Sequence, residues 1–295
     1  MKLKLILSFI LFAYISDSKA QSYFNGKFQE KSYTFDNKTY KLYDFSRKGT
    51  SSSNIKAKYF ATNAHSQYLK WKTGKKILLV TAGAFSDTWL STATPVGLCV
   101  DNGVIVNRSP NKTMDGMVIV YNGAAQIGGI AVVDLDKKSI KCESPYGSGN
   151  YKYFTPRDKV SHITPFLNWG KKAGLTVFQT QLVYSEKKTL SENFSNLTYG
   201  KKRERRYLAI CKKAGTVHHV VVDAKDEQYL MKGAKNVLRV LNHDGFEVLY
   251  IMNLDTGDKN ILYTYNGVSL YNHNPSSSSR AKIEKATNLL VYYKD

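Results

Sequence analysis

The stretch LMKGAKNVLRVLNHDGFEVLYIM, residues 230–252, decides the fold class. Asp226 and Glu227 precede it, where carboxylates stabilise the positive end of a helix dipole. Gly245 ends the helical pattern, and residues 248–252 form an apolar strand. A helix followed by a glycine turn and a buried strand is typical of a helix packed on a sheet. Its apolar positions share one helical face: Leu230, Ala234, Val237, Leu238 and Leu241.

Other segments along the chain have the composition of strands, rich in β-branched and aromatic residues and bounded by Asn-Gly turns. A second helical pattern runs from Ile163 to Ala173. We therefore predict one α+β domain with a mixed, mostly antiparallel β-sheet and a few packed helices. The predicted strands are residues 76–80, 116–121, 130–133, 175–178, 207–211, 217–222 and 289–293.

The N-terminus has the three parts of a secretory signal. Lys2 and Lys4 are followed by an uncharged apolar run over residues 5–15, and Ser18 and Ala20 precede a cleavage site. We predict residues 1–20 as a signal peptide, residues 21–74 as N-terminal strands and loops, and residues 75–295 as the domain core. The protein is expected to be secreted or periplasmic, without a transmembrane segment.

The chain has a formal net charge of +20, which attracts anions of many kinds. Its basic residues are scattered apart from one dense run at residues 201–206, and no zinc-knuckle or RNA-binding signature is present. This argues against nucleic acid as the partner. Three cysteines, Cys99, Cys142 and Cys211, allow either one disulfide with a free thiol or three buried thiols.

A series of turns and strand ends in this chain resembles the phosphodiester glycosidase domain family over residues 75–295. The family pattern has a small-residue turn, a proline-glycine hairpin, a Gln-Thr strand, an arginine that opens a strand, and a late aspartate. Three family motifs are altered by Thr81, by Gln181-Leu182 and by residues 256–259. The matching residues here are Gly83, Phe85, Pro95, Gly97, Gln179, Thr180, Arg206 and Asp255.

The resemblance implies a secreted hydrolase that cleaves or recognises a sugar-phosphate diester or a phosphorylated glycan. Asp255 is then the acid/base or metal-anchoring carboxylate, and Arg206 holds the phosphate. A divalent metal and the oligomeric state stay open. The resemblance also implies that the substrate contacts Gly83, Phe85, Gln179, Thr180, Gly257 and Asp258.

Asp255, Arg206 and Gly83 also have structural interpretations. Asp255 can form a turn with its own backbone, Arg206 can be a solvated charge beside Glu204, and Gly83 can serve only a tight turn. The alternative function is a non-catalytic secreted binding module with a basic anion-binding pocket. Thr256, Asp258 and Lys259 favour it because they crowd a loop that is glycine-rich in the family. We expect Gly83, Gln179, Arg206 and Asp255 to line one pocket if the site exists.

Overall fold

The computed structural model describes residues 25–47, 55–88, 90, 93–121, 130–135, 139–143, 151–195, 197, 201–257, 260–274 and 282–295. The predicted signal peptide, residues 1–20, and the predicted site residue Asp258 lie outside the described residues, as does Lys259.

The first half of the described chain is mostly strands with two helices. Its strands are β1 (Asn25–Phe35), β2 (Lys38–Arg47), β3 (Lys56–Phe60), β4 (Lys76–Thr81), β5 (Cys99–Asp101), β6 (Val104–Asn107), β7 (Gly116–Val120), β8 (Ile130–Asp134), β9 (Ile140–Glu143) and β10 (Tyr151–Phe154). Its helices are α1 (Ala64–Trp71) and α2 (Val160–Lys172).

The second half contains the longest strands. They are β11 (Thr176–Ser185), β12 (Arg203–Lys213), β13 (Thr216–Gln228), β14 (Glu247–Leu254), β15 (Leu262–Tyr265), β16 (Leu270–Asn272) and β17 (Leu289–Lys294). The helices are α3 (Leu190–Ser195), α4 (Leu230–His243) and a 3-10 turn at Ile283–Lys285. Each predicted strand overlaps one of these elements, and α4 confirms the predicted helix.

Fifteen of the seventeen described strands form two large sheets, and β9 and β10 form a separate two-stranded sheet. One has the order β1-β2-β13-β12-β14-β11-β5-β6, with β7 paired to β11 and β8, and the other has the order β16-β15-β4-β17-β3. The α+β class is confirmed, although the described pairings are all antiparallel where a mixed sheet was predicted. Because β2 pairs with β13, residues 25–47 extend the large sheet.

The two sheets pack face to face, and helices cover their outer faces. Side chains alternate along a strand, so β12 places Leu208 and Ile210 between the sheets and Tyr207 and Ala209 against α4. Helix α4 lies close to the sheet because a Cβ on Gly233 would be only 2.4 Å from the Tyr207 hydroxyl. Helix α2 covers the part of the large sheet around β11 and β7. Helix α1 covers the smaller sheet.

All three cysteines are buried free thiols, which decides between the two predicted alternatives. Burial raises the pKa of each thiol, so that each stays protonated as a small apolar group. Among the described helices, none combines the length and the apolar character that crossing a bilayer requires.

Candidate functional site

Several strand ends meet at one end of the two-sheet sandwich. Strand β14 ends at Leu254, which lies opposite Arg206 of β12, and β4 ends at Thr81. The backbone N–H of Asp255 donates a hydrogen bond to the carbonyl oxygen of Gly83, at 3.0 Å. The structure therefore brings Gly83, Arg206 and Asp255 to the same end of the molecule.

Arg206 is fully buried between the sheets, with 0% of its surface exposed, so it is not a solvated charge. Its Nε and Nη2 donate to Oδ1 of Asp223 at 3.2 and 2.8 Å, and Nη2 also donates to Oδ1 of Asn260 at 2.7 Å. Nη1 donates to the carbonyl of Ile261 at 2.8 Å and to the hydroxyl of Thr81 at 3.2 Å. All five guanidinium N–H groups are engaged, and none is left for a phosphate.

Glu204 lies two residues before Arg206 and continues the same polar cluster towards the surface. Its carboxylate accepts a hydrogen bond from the Asn260 amide, and its carbonyl accepts one from the Thr256 hydroxyl at 2.8 Å. Burial, followed by the nearby charge of Asp223, raises the pKa of Glu204. Glu204 is not among the site residues predicted from the sequence, although its spacing of two from Arg206 places it on the same face of β12.

The Gly83 turn is held by an internal amide. The backbone N–H groups of Gly83 and Ala84 both donate to Oδ1 of Asn288, each at 3.0 Å. A Cβ on Gly83 would lie 2.7 Å from a ring carbon of Tyr59, so close packing requires glycine here. The carbonyl of Phe85 accepts a hydrogen bond from Val96 at 2.7 Å, which joins this turn to the Pro95–Gly97 hairpin.

Asp255 forms the turn that its sequence context allows. Its Oδ1 accepts a hydrogen bond from the backbone N–H of Gly257 at 2.8 Å, which is an Asx turn. The side chain of Asp255 is half-buried and Gly257 is exposed. The carboxylate thus supports its own loop and is also accessible at the rim of the sandwich.

Gln179 lies on the other face of the large sheet from Arg206. Gln179 lies two residues after Val177 on β11, so the two side chains are on the same face, and Val177 packs with α2 on that face. Arg206 lies on the opposite face, together with Leu208, between the two sheets. Its Oε1 accepts hydrogen bonds from the N–H of Leu98 at 3.1 Å and of Asn111 at 3.0 Å. Its Nε2 donates to the carbonyls of Asn111 at 2.7 Å and of Met114 at 2.6 Å. The Gln179 amide thus holds the segments around Leu98 and residues 111–114 in place. Because it lies on the opposite face of the sheet, the structure does not bring it together with Arg206.

Thr180 is fully buried and joins β11 to β14. Its hydroxyl donates a hydrogen bond to the carbonyl of Asn253 at 2.7 Å. The next residue, Gln181, accepts one from the Asn253 side-chain amide at 3.2 Å. Because Asn253 lies two residues before Asp255, Gln181 adjoins the end of β14 where the candidate residues gather.

A polar cleft of about 260 Å³ opens beside Gln181, and we call it the Gln181 cleft. The cations Lys112, Arg157 and Lys188 line it together with the carboxylates of Asp115 and Glu192. Lys188 is only 8% exposed, and its Nζ lies 3.2 Å from Oδ2 of Asp115. The lining therefore combines cations, carboxylates and the two amides of Gln181 and Asn193 in a small volume. None of these charged residues was predicted for the site from the sequence, because no common motif links them. Lys112, Asp115, Arg157 and Lys188 lie in loops, whereas Glu192 lies in α3.

The described residues contain no group of three or more His, Cys, Asp or Glu side chains arranged to hold a metal ion. Two carboxylates at this end of the sandwich, those of Asp223 and Glu204, are bonded to Arg206 and Asn260 respectively.

Comparison with known proteins gives only distant structural likenesses. No family model matches the chain. No curated protein sequence matches it either. The chain is similar to the zebrafish N-acetylglucosamine-1-phosphodiester alpha-N-acetylglucosaminidase catalytic domain, auto-inhibited by its pro-peptide, at 12% identity and TM-score 0.47, over 90% of this chain and 81% of that chain. It is also similar to a putative exported protein from Burkholderia pseudomallei, at 10% identity and TM-score 0.43, over 86% of this chain and 74% of that chain.

Proposed function

We propose that this protein is an exported recognition module for phosphorylated glycans, and that a sugar-phosphate unit occupies the Gln181 cleft. The mixed lining of that cleft is the observation that carries the proposal. Lys112 offers charge-assisted hydrogen bonds to a phosphate, and Arg157, whose Nε and Nη2 donate to Asp158 at 2.9 and 3.3 Å, adds a second positive charge. The Asp115 and Glu192 carboxylates accept hydrogen bonds from sugar hydroxyls. The volume of about 260 Å³ is just below the range of about 300–1,000 Å³ found for sites that enclose a whole drug-sized ligand, so the cleft would hold a single sugar unit of a longer chain.

The charge of the whole protein supports an anionic ligand. The formal net charge of +20 produces a positive field that raises the local concentration of polyanions and speeds their association. Near the cleft this field acts on a site whose own charges nearly balance. We therefore expect the field to attract the glycan and the cleft to select the sugar-phosphate unit.

The internal hydrogen bonds at the end of the sandwich favour recognition over catalysis. The N–H groups of Arg206 and of Gly83 are bonded to protein atoms. Phosphate-ester cleavage needs such donors directed at the charge that develops in the transition state. In this chain they stabilise the fold instead.

Hydrolysis of a sugar-phosphate diester is the second candidate, and the raised pKa of Glu204 favours it. A general acid must hold its proton near the working pH, and burial raises the pKa of Glu204 towards that pH. Asp255 lies at the same end of the sandwich and would supply a second carboxylate. A retained activity would therefore depend on Glu204 and Asp255 rather than on Arg206.

Binding of glucose 6-phosphate and of glucose, measured by calorimetry, tests the first proposal. We expect the phosphorylated sugar to bind and glucose to bind at least tenfold more weakly, because about 1.4 kcal/mol of phosphate contact corresponds to a factor of ten. The double variant Lys112→Gln/Arg157→Gln should abolish that difference. The matched control Lys70→Gln/Lys171→Gln removes two exposed cations from α1 and α2 and should keep it. Equal binding of both sugars by the wild type would contradict the proposal.

Release of sugar from a sugar-1-phosphate diester, assayed with and without divalent metal, tests the second candidate. If turnover occurs, Glu204→Gln and Asp255→Asn should each remove it and leave the fold intact, because both keep side-chain size and delete the titrating group. Turnover that survives both substitutions would exclude these carboxylates. Absence of turnover in the wild type would leave recognition as the function.

A further inference from the structure

A second concave surface lies on the outer face of the large sheet, and α3 contributes residues to it as well as to the Gln181 cleft. It runs between α3 and α4 and has a volume of about 680 Å³. We call it the α3–α4 groove. Along α4 its lining extends from Met231 to Asn242, which is a length of about 16 Å at 1.5 Å per helical residue.

The floor of the α3–α4 groove is apolar. Phe194 of α3 and Leu238 of α4 are buried at its base, and Met231 is half-buried beside them. At the edge, Leu190 is 62% exposed, so an apolar side chain borders an open apolar concavity. Contact with an apolar ligand would remove this surface from water and stabilise the complex.

Two cations stand on one wall of the groove, one helical turn apart on α4. The Lys235 ammonium lies 5.4 Å from the centre of the Phe194 ring, and the Arg239 guanidinium lies 5.7 Å from the centre of the Phe35 ring. Both residues are exposed, so their charged groups reach solvent at the rim. None of the ten described lining residues is acidic. A ligand that fits therefore has an apolar body and an anionic end.

We propose that the α3–α4 groove binds a single-chain amphiphile with a carboxylate head, in the manner of a free long-chain fatty acid. The acyl chain lies along α4 over Leu238 and Phe194, and the carboxylate meets Lys235 and Arg239. A volume of about 680 Å³ is within the range of small-ligand sites.

Titration of the full-length mature protein with laurate, followed by calorimetry, tests this inference. We expect saturable binding of one laurate, and at least tenfold weaker binding of hexanoate and of dodecyltrimethylammonium, which change the tail length and the head charge respectively. The double variant Lys235→Gln/Arg239→Gln should weaken laurate binding about fivefold, since two exposed charge contacts contribute about 0.5 kcal/mol each. The control Lys70→Gln/Lys171→Gln, on α1 and α2, should bind laurate as the wild type does.

Leu190→Ser tests the apolar half of the site without disturbing the core, because Leu190 is exposed. It should weaken laurate binding about threefold and leave the thermal unfolding midpoint unchanged. Equal affinity for laurate and dodecyltrimethylammonium would overturn the proposal. Wild-type affinity for laurate in both Lys235→Gln/Arg239→Gln and Leu190→Ser would also overturn it. So would binding of the protein to vesicles of anionic phospholipid without binding to monomeric laurate.

Discussion

Arg206 and Asp223 face each other across the β12–β13 pair, and the Arg206 guanidinium donates two hydrogen bonds to the same carboxylate oxygen, Oδ1 of Asp223. The pair is buried between the two sheets. Arg206 also bonds to Thr81 at the end of β4, which belongs to the smaller sheet. The ion pair therefore joins the two sheets at the end where the candidate residues lie.

Removal of one partner of this pair should be costly. Arg206→Met should lower the free energy of unfolding by about 3–5 kcal/mol, because it leaves the Asp223 carboxylate buried without its cation. Urea unfolding of the variant and the wild type measures this loss.

Two further variants separate the ion pair from general effects of substitution. Lys212→Met breaks the more exposed pair with Glu247 and should cost less than about 1 kcal/mol. The double variant Arg206→Met/Asp223→Leu should cost less than the sum of the two single variants, because neither charge is left alone. If Arg206→Met were no more destabilising than Lys212→Met, Arg206 would not have the structural role assigned to it.

Glu204 should give the protein a pH-dependent stability of a defined sign. Its folded-state pKa is raised above the ordinary 4.5, so the folded protein holds this proton more strongly than the unfolded chain. Stability from this group is present in acid and is lost as the pH rises from about 4.5 through the raised pKa.

Glu204→Gln keeps an oxygen to accept the Asn260 hydrogen bond and removes the charge. The variant should therefore gain stability relative to the wild type at pH 7.5 and lose that advantage at pH 4, measured by urea unfolding at both values. Glu227→Gln changes an exposed glutamate at the end of β13 and is the control. A stability difference for Glu204→Gln that is the same at both pH values would show that its titration is not coupled to folding.

Part of the Arg206 cluster could be derived from the sequence. Ala214 and Gly215 have φ values of 48° and 75°, as expected of a two-residue hairpin turn with both central residues in the left-handed region. Arg206 and Asp223 each lie eight residues from this turn, so the hairpin register alone pairs them. The dense basic run around Arg206 suggested a surface charge, whereas the register puts this arginine opposite a carboxylate.

The rest of the site depends on contacts that no local pattern contains. Arg206 reaches Thr81, which is 125 residues away in sequence, and its burial follows from the packing of the second sheet. The predicted strand 175–178 stopped short of Gln179, and the face of β11 that Gln179 shares with Val177 is identified only by the position of α2. The helix α4 was predictable because its apolar spacing is contained within fourteen consecutive residues.

Gly83→Ala should destabilise the fold through Tyr59. The added methyl would lie 2.7 Å from a ring carbon of Tyr59, which is fully buried and stacked on Phe178. We expect a loss of about 1–3 kcal/mol in the free energy of unfolding, as for other overpacked core positions. Gly257→Ala is the control, because Gly257 is exposed and its new methyl would meet only the Asp255 side chain. Equal stability of the two variants would indicate that the Gly83 turn relaxes without cost.

His219 should make the protein lose stability in mild acid. It is fully buried between the sheets, where its Nδ1 lies 3.3 Å from the Tyr292 hydroxyl, and burial, with a smaller effect of His218, lowers its pKa well below 6.5. The folded protein therefore keeps His219 neutral, while the unfolded chain takes up a proton as the pH falls below about 6.5.

His219→Phe removes this proton uptake and should reduce the difference in unfolding free energy between pH 7.5 and pH 5.5. His243→Phe, at the exposed end of α4, is the control and should preserve the wild-type difference. If His219→Phe and the wild type lost the same stability between these pH values, the acid sensitivity would have to come from other groups, of which His273 is the next to test because burial also lowers its pKa.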